Sequence, residues 1–223
     1  TREYSVFASD IVTLAEPVQV MLGGRYLWYR STQGASVYDE AAFVPTVGLV
    51  VKPLRDLSLY ANYARGLEAG EYAPITANNA GLQTAPIRST QYEIGAKADF
   101  GSAFNFSLAI FQLEKEAGFV NLANDFVVDG EFRHRGVEAT ATGRPTPSMT
   151  LSAQLAYLDT SLQNVIDPAS LGKRTEGTPK WQGGLSADYA VPGAAGLTLN
   201  GAVPGDQPVR AGERVRLRLV NVS

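Results

Sequence analysis

The feature that most constrains this chain is a period of two in its apolar residues, which recurs along most of its length. In the stretch TQYEIGAKADF, one parity is occupied by Tyr92, Ile94, Ala96, Ala98 and Phe100. Polar or small residues occupy the other parity, and VEATATG (137–143) and WQGGLSADYAV (181–191) repeat the pattern. Successive side chains of a β-strand point to opposite faces, so this alternation predicts strands with one apolar face. No segment of helical length has a convincing 3.6-residue period.

The alternation predicts about ten strands joined alternately by short turns and long links. The strands are expected near 3–14, 18–30, 41–52, 57–66, 90–100, 103–115, 132–143, 149–161, 181–191 and 197–203. Short turns are expected at 16–17, 53–56, 101–102, 144–148 and 192–196. Long links are expected over 31–40, 67–89, 116–131 and 162–180. We therefore predict an all-β, antiparallel up-and-down meander with every short turn at one end of the sheet.

This asymmetry favours a membrane protein. Long structureless loops are uncommon in compact soluble domains, whereas outer-membrane β-barrels combine short periplasmic turns, long extracellular loops and alternating strands. Every backbone polar group in lipid needs a partner, so such a sheet must close into a barrel. We expect residues 1–203 to form part of a transmembrane barrel and residues 204–223 to form an atypical tail with one possible strand.

Composition excludes several classes of site. Charged residues make up 18% of the chain, below the roughly 25% usual in soluble domains. There is no cysteine and only one histidine, which excludes zinc–thiolate sites, cysteine nucleophiles and paired-histidine metal sites within the chain. The net charge of −3 gives no reason to expect nucleic acid as a partner. We expect no catalytic residues and no metal site.

Five segments also resemble the barrel of TonB-dependent siderophore receptors. They are PTVGLVVKPLRDLSLYANYARGLEAG, TQYEIGAKADF, AIFQLEKEAGF, DGEFRHRGVEATATGRPTPSMTLSAQLAYLDTSL and GLSADYAVPGAAGLTLNGAV. They keep the order and spacing of that family from about residue 3 to residue 203. The barrels of such transporters have 22 strands around a plug, so the resemblance implies an incomplete barrel that lacks the plug.

The resemblance also implies a function. It is that of a receptor in the bacterial outer membrane that imports a ferric siderophore, driven by the TonB system acting through the plug. The partners would be the siderophore, TonB and outer-membrane lipid. Iron would arrive already chelated, so no cofactor is expected, and the protein would be a transporter and not an enzyme. A passive porin-like channel remains an alternative, because it would share the alternation and the loop asymmetry.

The tail suggests a second alternative. AGERVRLRLVN resembles a strand of the cupredoxin domains in multicopper oxidases, and a fragment of such an oxidase would follow from it. Residues 204–223 contain no His, Cys or Met, so no copper ligand is visible. The simpler interpretation is one amphipathic strand.

The stretch EFRHRGVE (131–138) holds the only histidine. Parity places His134 with Glu138 on the set that faces the lumen, where it is a candidate siderophore contact. Arg133 and Arg135 share the parity of the lipid-facing Val137, and we expect them at the outer rim of the membrane, within reach of lipopolysaccharide phosphates. A bulge that turns both arginines inward is the alternative.

Aromatic and loop residues complete the predictions. Interfacial girdles account for most of Tyr26, Trp28, Tyr29, Tyr60, Tyr63, Tyr157, Trp181 and Tyr189. Tyr72, Arg88 and Trp181 are candidate siderophore contacts because they lie in or beside long links. The polar stretch ITANNAGLQ (75–83) is expected to be a mobile loop.

Overall fold

The computed structural model describes residues 2–33, 36–101, 103–165, 170–174, 177–190 and 214–219. These residues form one antiparallel sheet whose strands lie side by side in sequence order. The strands are β1 Arg2–Ala15, β2 Val18–Gln33, β3 Ser36–Leu54, β4 Leu57–Glu68, β5 Ile87–Phe100, β6 Phe104–Val120, β7 Phe126–Thr146, β8 Met149–Gln163, β9 Trp181–Ala190 and β10 Arg214–Leu219. Within this described part, β1 pairs only with β2 and β10 only with β9, so the sheet is open. The predicted all-β antiparallel meander is confirmed.

The tight connections gather at one end of the sheet. Cross-strand pairing closes each of them at Ala15↔Val18, Leu54↔Leu57, Phe100↔Phe104 and Thr146↔Met149. They coincide with four of the predicted short turns. The fifth predicted turn, 192–196, and the predicted strand 197–203 lie outside the described residues.

The opposite end differs from the prediction at two places. β2 and β3 pair as far as Gln33 and Ser36, so the predicted link 31–40 is mostly strand. β6 and β7 continue to Val120 and Phe126, which leaves only 121–125 between them. The alternation fails there because beyond the lipid neither face of a strand has to be apolar, while the backbone ladder continues. The links 69–86 and 164–180 are long, as predicted.

The ladder between β3 and β4 is shorter than the strands themselves. β3 pairs with β4 only between Thr46↔Ala64 and Leu54↔Leu57, although β3 continues to pair with β2 above that point. Pro45 is the next residue of β3, and it has no N–H to donate to β4, so the two strands separate there.

β10 lies within the predicted tail and pairs with β9, and the rest of 204–223 falls outside the described residues.

Buried side chains concentrate at the end with the long links. The buried apolar residues are Leu27, Tyr29, Ala73, Ala77, Ile87, Ala117 and Leu162. Most of them lie where the 69–86 link covers the sheet, because a single sheet layer has no interior of its own. Among the described residues, no helix has the length and apolar character needed to cross a membrane.

Candidate functional site: the polar face and its loops

Cross-strand register separates the sheet into two chemically different faces. One row across five strands is entirely apolar and consists of Leu59, Ala96, Leu108, Ala139 and Leu155. The neighbouring row on the other face is entirely polar and consists of Ser58, Lys97, Ser107, Thr140 and Gln154. In a transmembrane barrel the apolar face meets lipid and the polar face lines the lumen.

Aromatic side chains border the apolar face at both ends. Toward the long links, ring pairs form between Tyr26 and Trp28 (4.7 Å), Tyr63 and Tyr92 (5.2 Å), and Tyr157 and Trp181 (4.8 Å). Phe100 and Phe104 pair at 6.1 Å beside a short turn. Tyr92 and Phe100 differ by eight positions (100 − 92), which is about 26 Å of strand at about 3.3 Å per residue. With a strand tilt of roughly 40°, this distance corresponds to a band about 20 Å tall, close to the hydrocarbon band of outer-membrane barrels.

Two of these eight aromatic residues, Tyr29 and Tyr60, lie on the polar face and are exceptions to the predicted girdles. The Tyr29 hydroxyl is buried and accepts a hydrogen bond from Gln83 Nε2 (3.0 Å). The Tyr60 hydroxyl donates to Glu93 Oε1 (2.8 Å), and Lys97 Nζ lies 5.4 Å from the centre of the Tyr60 ring. Both hydroxyls have polar partners, which an interfacial position would not require.

Hydrogen bonds connect the side chains of the polar face. The hydroxyls of Ser107 and Thr140 are 2.6 Å apart, and those of Thr142 and Ser152 are 3.1 Å apart. Gln91 Nε2 donates to Glu93 Oε2 (3.2 Å). A wall of this kind suits a water-filled or plug-filled lumen and would not be stable against lipid.

The 69–86 link folds back over this polar face and is anchored there by Gln83. Gln83 is buried, with 4% of its surface exposed. Its Oε1 accepts from Ser31 Oγ (2.7 Å), and its Nε2 donates to the Tyr29 hydroxyl and to the Gly70 carbonyl (3.0 Å each). The Gln83 side chain therefore connects the end of the link, where Gln83 lies, both to the start of the link at Gly70 and to strand β2.

The same link is also tied to the 121–125 turn by asparagines. The Asn79 amide pairs with both backbone groups of Phe126, accepting from its N–H and donating to its carbonyl (2.8 Å each). Asn78 Nδ2 donates to the Ala123 carbonyl (2.6 Å), and Asn124 Nδ2 donates to the Thr76 carbonyl (3.0 Å). Residues 75–83, which were predicted to form a mobile loop, are thus held by hydrogen bonds to β2 on one side and to the 121–125 turn and β7 on the other.

A hollow of about 430 Å³ opens on the polar face where β3 and β4 separate. Its walls include the apolar residues Phe7, Met21, Leu27 and Val44 together with Arg25. Arg65 also borders the hollow from β4, but its side chain has the parity of Tyr63 on the apolar face. Gly23 and Gly66 also line it. No local pattern in the sequence indicates this hollow, because it depends on the separation of two strands.

Tyr72 and Arg88 lie at opposite ends of the anchored link. Tyr72 is bridged to Gln83 through the backbone, and 56% of its surface is exposed. Arg88 makes an exposed ion pair with Glu40 (3.5 Å), and its backbone N–H donates to Glu116 Oε2 (2.8 Å). Tyr72 is therefore available to a ligand, whereas Arg88 already has a carboxylate partner.

His134 and Trp181 lie on different faces. His134 is half-buried on the polar face, with its ring 6.2 Å from that of Phe132. It lies above the Tyr92 row, on the part of β7 that extends beyond the aromatic border, where burial and then the Lys115 ammonium lower its pKa. Trp181 pairs with Tyr157 on the apolar face and is away from the lumen. The geometry thus keeps His134 as a candidate contact and gives Trp181 a place in the aromatic border.

Arg133 and Arg135 both lie on the apolar side of β7, above its apolar rows. Arg135 pairs with Gln112 in the row that contains Tyr63 and Tyr92, and its Nε donates to Gln112 Oε1 (2.6 Å). Arg133 lies one step farther out, opposite Glu114, and its Nε is buried without a hydrogen-bond partner. The register of β7 with β6 is regular here, and the shift that does occur lies at Ala117/Gly118.

Replacing Arg135 with leucine is expected to leave assembly unchanged. The side chain is exposed at the aromatic border, where a charge costs about 0–1 kcal/mol, so its removal has little effect on insertion. The folded fraction in outer-membrane preparations, measured by heat-dependent gel migration, is expected to match that of the unmodified protein. Loss of the folded form would show that Arg135 is required within the wall.

Sequence reasoning missed the residues that organise this site. Gln83, Asn79 and Asn124 belong to polar loop segments whose composition indicates only a loop. Across the described residues, no group of three or more His, Asp or Glu side chains is arranged to hold a metal ion.

Comparison with known proteins gives a consistent set of relatives. A family model described as "TonB dependent receptor-like, beta-barrel" matches residues 1–217. The ferrichrome receptor FcuA of Yersinia enterocolitica is 34% identical over 191 residues, which are 83% of this chain and 25% of that receptor. The chain thus spans about a quarter of that curated relative. The match of the family model continues into the segment predicted as an atypical tail.

Solved structures give the same answer for the fold. BauA, the ferric preacinetobactin receptor of Acinetobacter baumannii, is 32% identical with a TM-score of 0.72, and the match covers 87% of this chain and 30% of BauA. The ferripyoverdine receptor of the Pseudomonas aeruginosa outer membrane matches 97% of this chain and 31% of its own, with a TM-score of 0.71. At 19% identity, the second likeness concerns the fold alone.

Proposed function

The chain belongs to the TonB-dependent receptor family, and from this membership we propose that it forms part of the barrel wall of a receptor that imports ferric siderophores across the outer membrane. The observation that carries the proposal is the family match over residues 1–217 together with a sheet that has one lipid-compatible and one polar face. The names of relatives such as the ferrichrome and ferric preacinetobactin receptors support the ligand class.

In this proposal the two faces of the sheet have different functions. The apolar face and its aromatic borders hold the wall in lipid. The polar face lines the lumen, and the anchored 69–86 link with Tyr72 forms part of the extracellular surface that captures the chelate. The TonB system supplies the energy for release into the periplasm, acting through a plug. Iron is cargo that enters in its chelate, so the protein needs no cofactor of its own.

The alternative functions have less support. The relatives are transport receptors and not enzymes, so we propose no enzymatic activity, and the multicopper oxidase suggested by the tail is not favoured. A passive channel would share the two-faced sheet, but it would not need a receptor-family match over nearly the whole chain.

Uptake of radioiron tests the proposal. Cells that express the whole gene product in iron-restricted medium are supplied with radioiron in a neutral ferric trihydroxamate, a trianionic ferric tris-catecholate or a ferric citrate complex. We expect at least one of these chelates to deliver iron to the cells, and we expect that uptake to fall to background in cells that lack TonB.

Two outcomes would contradict the proposal. Uptake that persists without TonB, together with passage of small sugars, would indicate a passive channel. If none of the three chelates delivers iron while the barrel is folded in the outer membrane, the proposal of siderophore import is contradicted. The gene deletion, restored from a plasmid, is the matched control.

A further inference from the structure

The 69–86 link consists of a narrow stalk and a compact head. In the stalk, the Thr84 N–H donates to the Glu71 carbonyl (2.8 Å) and the Glu71 N–H donates to Thr84 Oγ1 (2.9 Å), so its two sides run together. The head is residues 74–81, and it contains the buried Ala77. These bonds give the link a shape of its own, and other bonds hold it in place.

Three asparagines join the head to the 121–125 turn, and we call this set the asparagine clamp. The Asn78 N–H donates to the Asn124 carbonyl (2.8 Å), and Asn124 Nδ2 donates to Asn78 Oδ1 (3.3 Å). Asn79 pairs with both backbone groups of Phe126 (2.8 Å each). Because the bonds are shared among three side chains, the head separates from the turn only when all of them break.

The attachment of the link to β2 differs, because it passes through one side chain. Gln83 bonds to Ser31 Oγ, to the Tyr29 hydroxyl and, across the stalk, to the Gly70 carbonyl. A single rotation of the Gln83 side chain breaks all of these bonds together. Gln83 therefore acts as a latch, which opens in one step, whereas the clamp does not.

The hairpin that carries the turn can bend below it. The register of β6 with β7 shifts between Ala117 and Gly118, so that Asp129 has no residue opposite it on β6. A β-bulge of this kind bends the strand and interrupts the ladder locally. The hairpin top, residues 118–128, is thus attached to the regular sheet through a bulge.

We propose that the head and the hairpin top are one moving part, which swings about the stalk and the bulge when the Gln83 latch opens and does not come apart at the asparagine clamp. Hinged closures of this kind bend at a few residues at the ends of regular elements, while the moving part keeps its shape. The cover over this part of the polar face is then contributed by two loops together. Any ligand or partner that displaces one loop also displaces the other. The inference goes beyond the proposed function and requires no chelate.

Spin-label distances in the whole gene product, reconstituted in lipid vesicles, test the coupling. The chain has no cysteine, so labels are attached in pairs through Ile75→Cys in the head, Leu122→Cys in the turn and Thr32→Cys on β2, with any cysteine outside this chain replaced by serine. Ile75 and Leu122 are 94% and 93% exposed, so labels there do not disturb packing. In Gln83→Met we expect the 32–75 and 32–122 distance distributions both to broaden, and the 75–122 distribution to stay unchanged.

Asn79→Ala combined with Asn124→Gly tests the clamp itself. Asn124 has a φ of 63°, a conformation that glycine adopts readily, so the change removes side-chain bonds without straining the turn. We expect the 75–122 distribution to broaden and the 32–75 distribution to stay unchanged, because the latch is intact. Asn105→Ala is the matched control, since it removes an asparagine side chain beside a short turn at the other end of the sheet, and it should leave all three distributions unchanged.

Three results would overturn the proposal. A 75–122 distribution that broadens in Gln83→Met, or a 32–122 distribution that does not, would show that the two loops move separately or that Gln83 is not the latch. A 75–122 distribution that is unchanged in the double asparagine variant would show that the clamp does not join them. Heat-dependent gel migration confirms that each variant is folded. Since no chelate is used, these results leave the iron-uptake test of the proposed function unaffected.

Discussion

An arginine in place of Leu108 is expected to prevent assembly of the barrel wall in the outer membrane. Leu108 pairs with Ala96, which lies midway between Tyr92 and Phe100, so the side chain is at the centre of the apolar band. Arginine facing lipid at that depth costs about 2–4 kcal/mol, which is roughly a 30- to 700-fold change in the assembly equilibrium. The folded fraction in outer-membrane preparations, measured by heat-dependent gel migration, is expected to fall to a few per cent.

The neighbouring residue provides the control. Ser107→Arg introduces the same side chain at the same depth on the opposite face, where the hydroxyl of Thr140 is the present partner. A lumen-facing charge meets water or other polar groups, so this variant is expected to assemble nearly as well as the unmodified protein. If both variants assemble equally, or if Ser107→Arg is the one that fails, the assignment of the two faces is wrong.

The sequence predicts the part of the fold that lies in lipid. Between Tyr92 and Phe100 a one-residue error in register would place Lys97 in lipid, so the alternation is strict and the strand is evident. Beyond the aromatic border lipid no longer requires the alternation. The sequence of a strand segment such as 116–120 therefore resembles that of a loop. The separation of β3 from β4 has a local cause in Pro45, but its position depends on which residue of β4 lies opposite.

The candidate site was predicted less completely for a physical reason. Parity alone places His134 on the polar face and Arg135 on the apolar face, and the structure has them there. Gln83 reaches Ser31 and Tyr29 across more than fifty positions of sequence, and nothing in the local sequence indicates that contact. Trp181 lies beside a long link, which suggested a ligand contact, whereas its parity places it with Tyr157 on the apolar face.

The anchor at Gln83 also explains how so long a link is held against the sheet. The backbone of the link closes on itself through Ala73 N–H to the Leu82 carbonyl and Thr84 N–H to the Glu71 carbonyl (2.8 Å each). These bonds make a small closed unit. The Asn78 N–H donates to the Asn124 carbonyl in the 121–125 turn (2.8 Å), and side chains connect the unit to the strands. Gln83 makes that connection on the side of β2, and Asn79 makes it on the side of β7.

Replacing Gln83 with methionine is therefore expected to release the link while leaving the barrel wall intact. Methionine fills a similar volume but offers the Tyr29 hydroxyl and the Gly70 carbonyl no hydrogen bond, and each buried polar group left without one costs about 1–3 kcal/mol. The two groups together cost at least about 2 kcal/mol, so opening of the link should become at least roughly 30-fold more frequent. Hydrogen exchange measured by mass spectrometry should show that acceleration for the amides of Ala73 and Thr84, with β6 unchanged. Gln163→Met removes a single bond to Ser161 at the top of β8 and should leave the link protected; equal protection of the link in both variants would show that Gln83 is not its anchor.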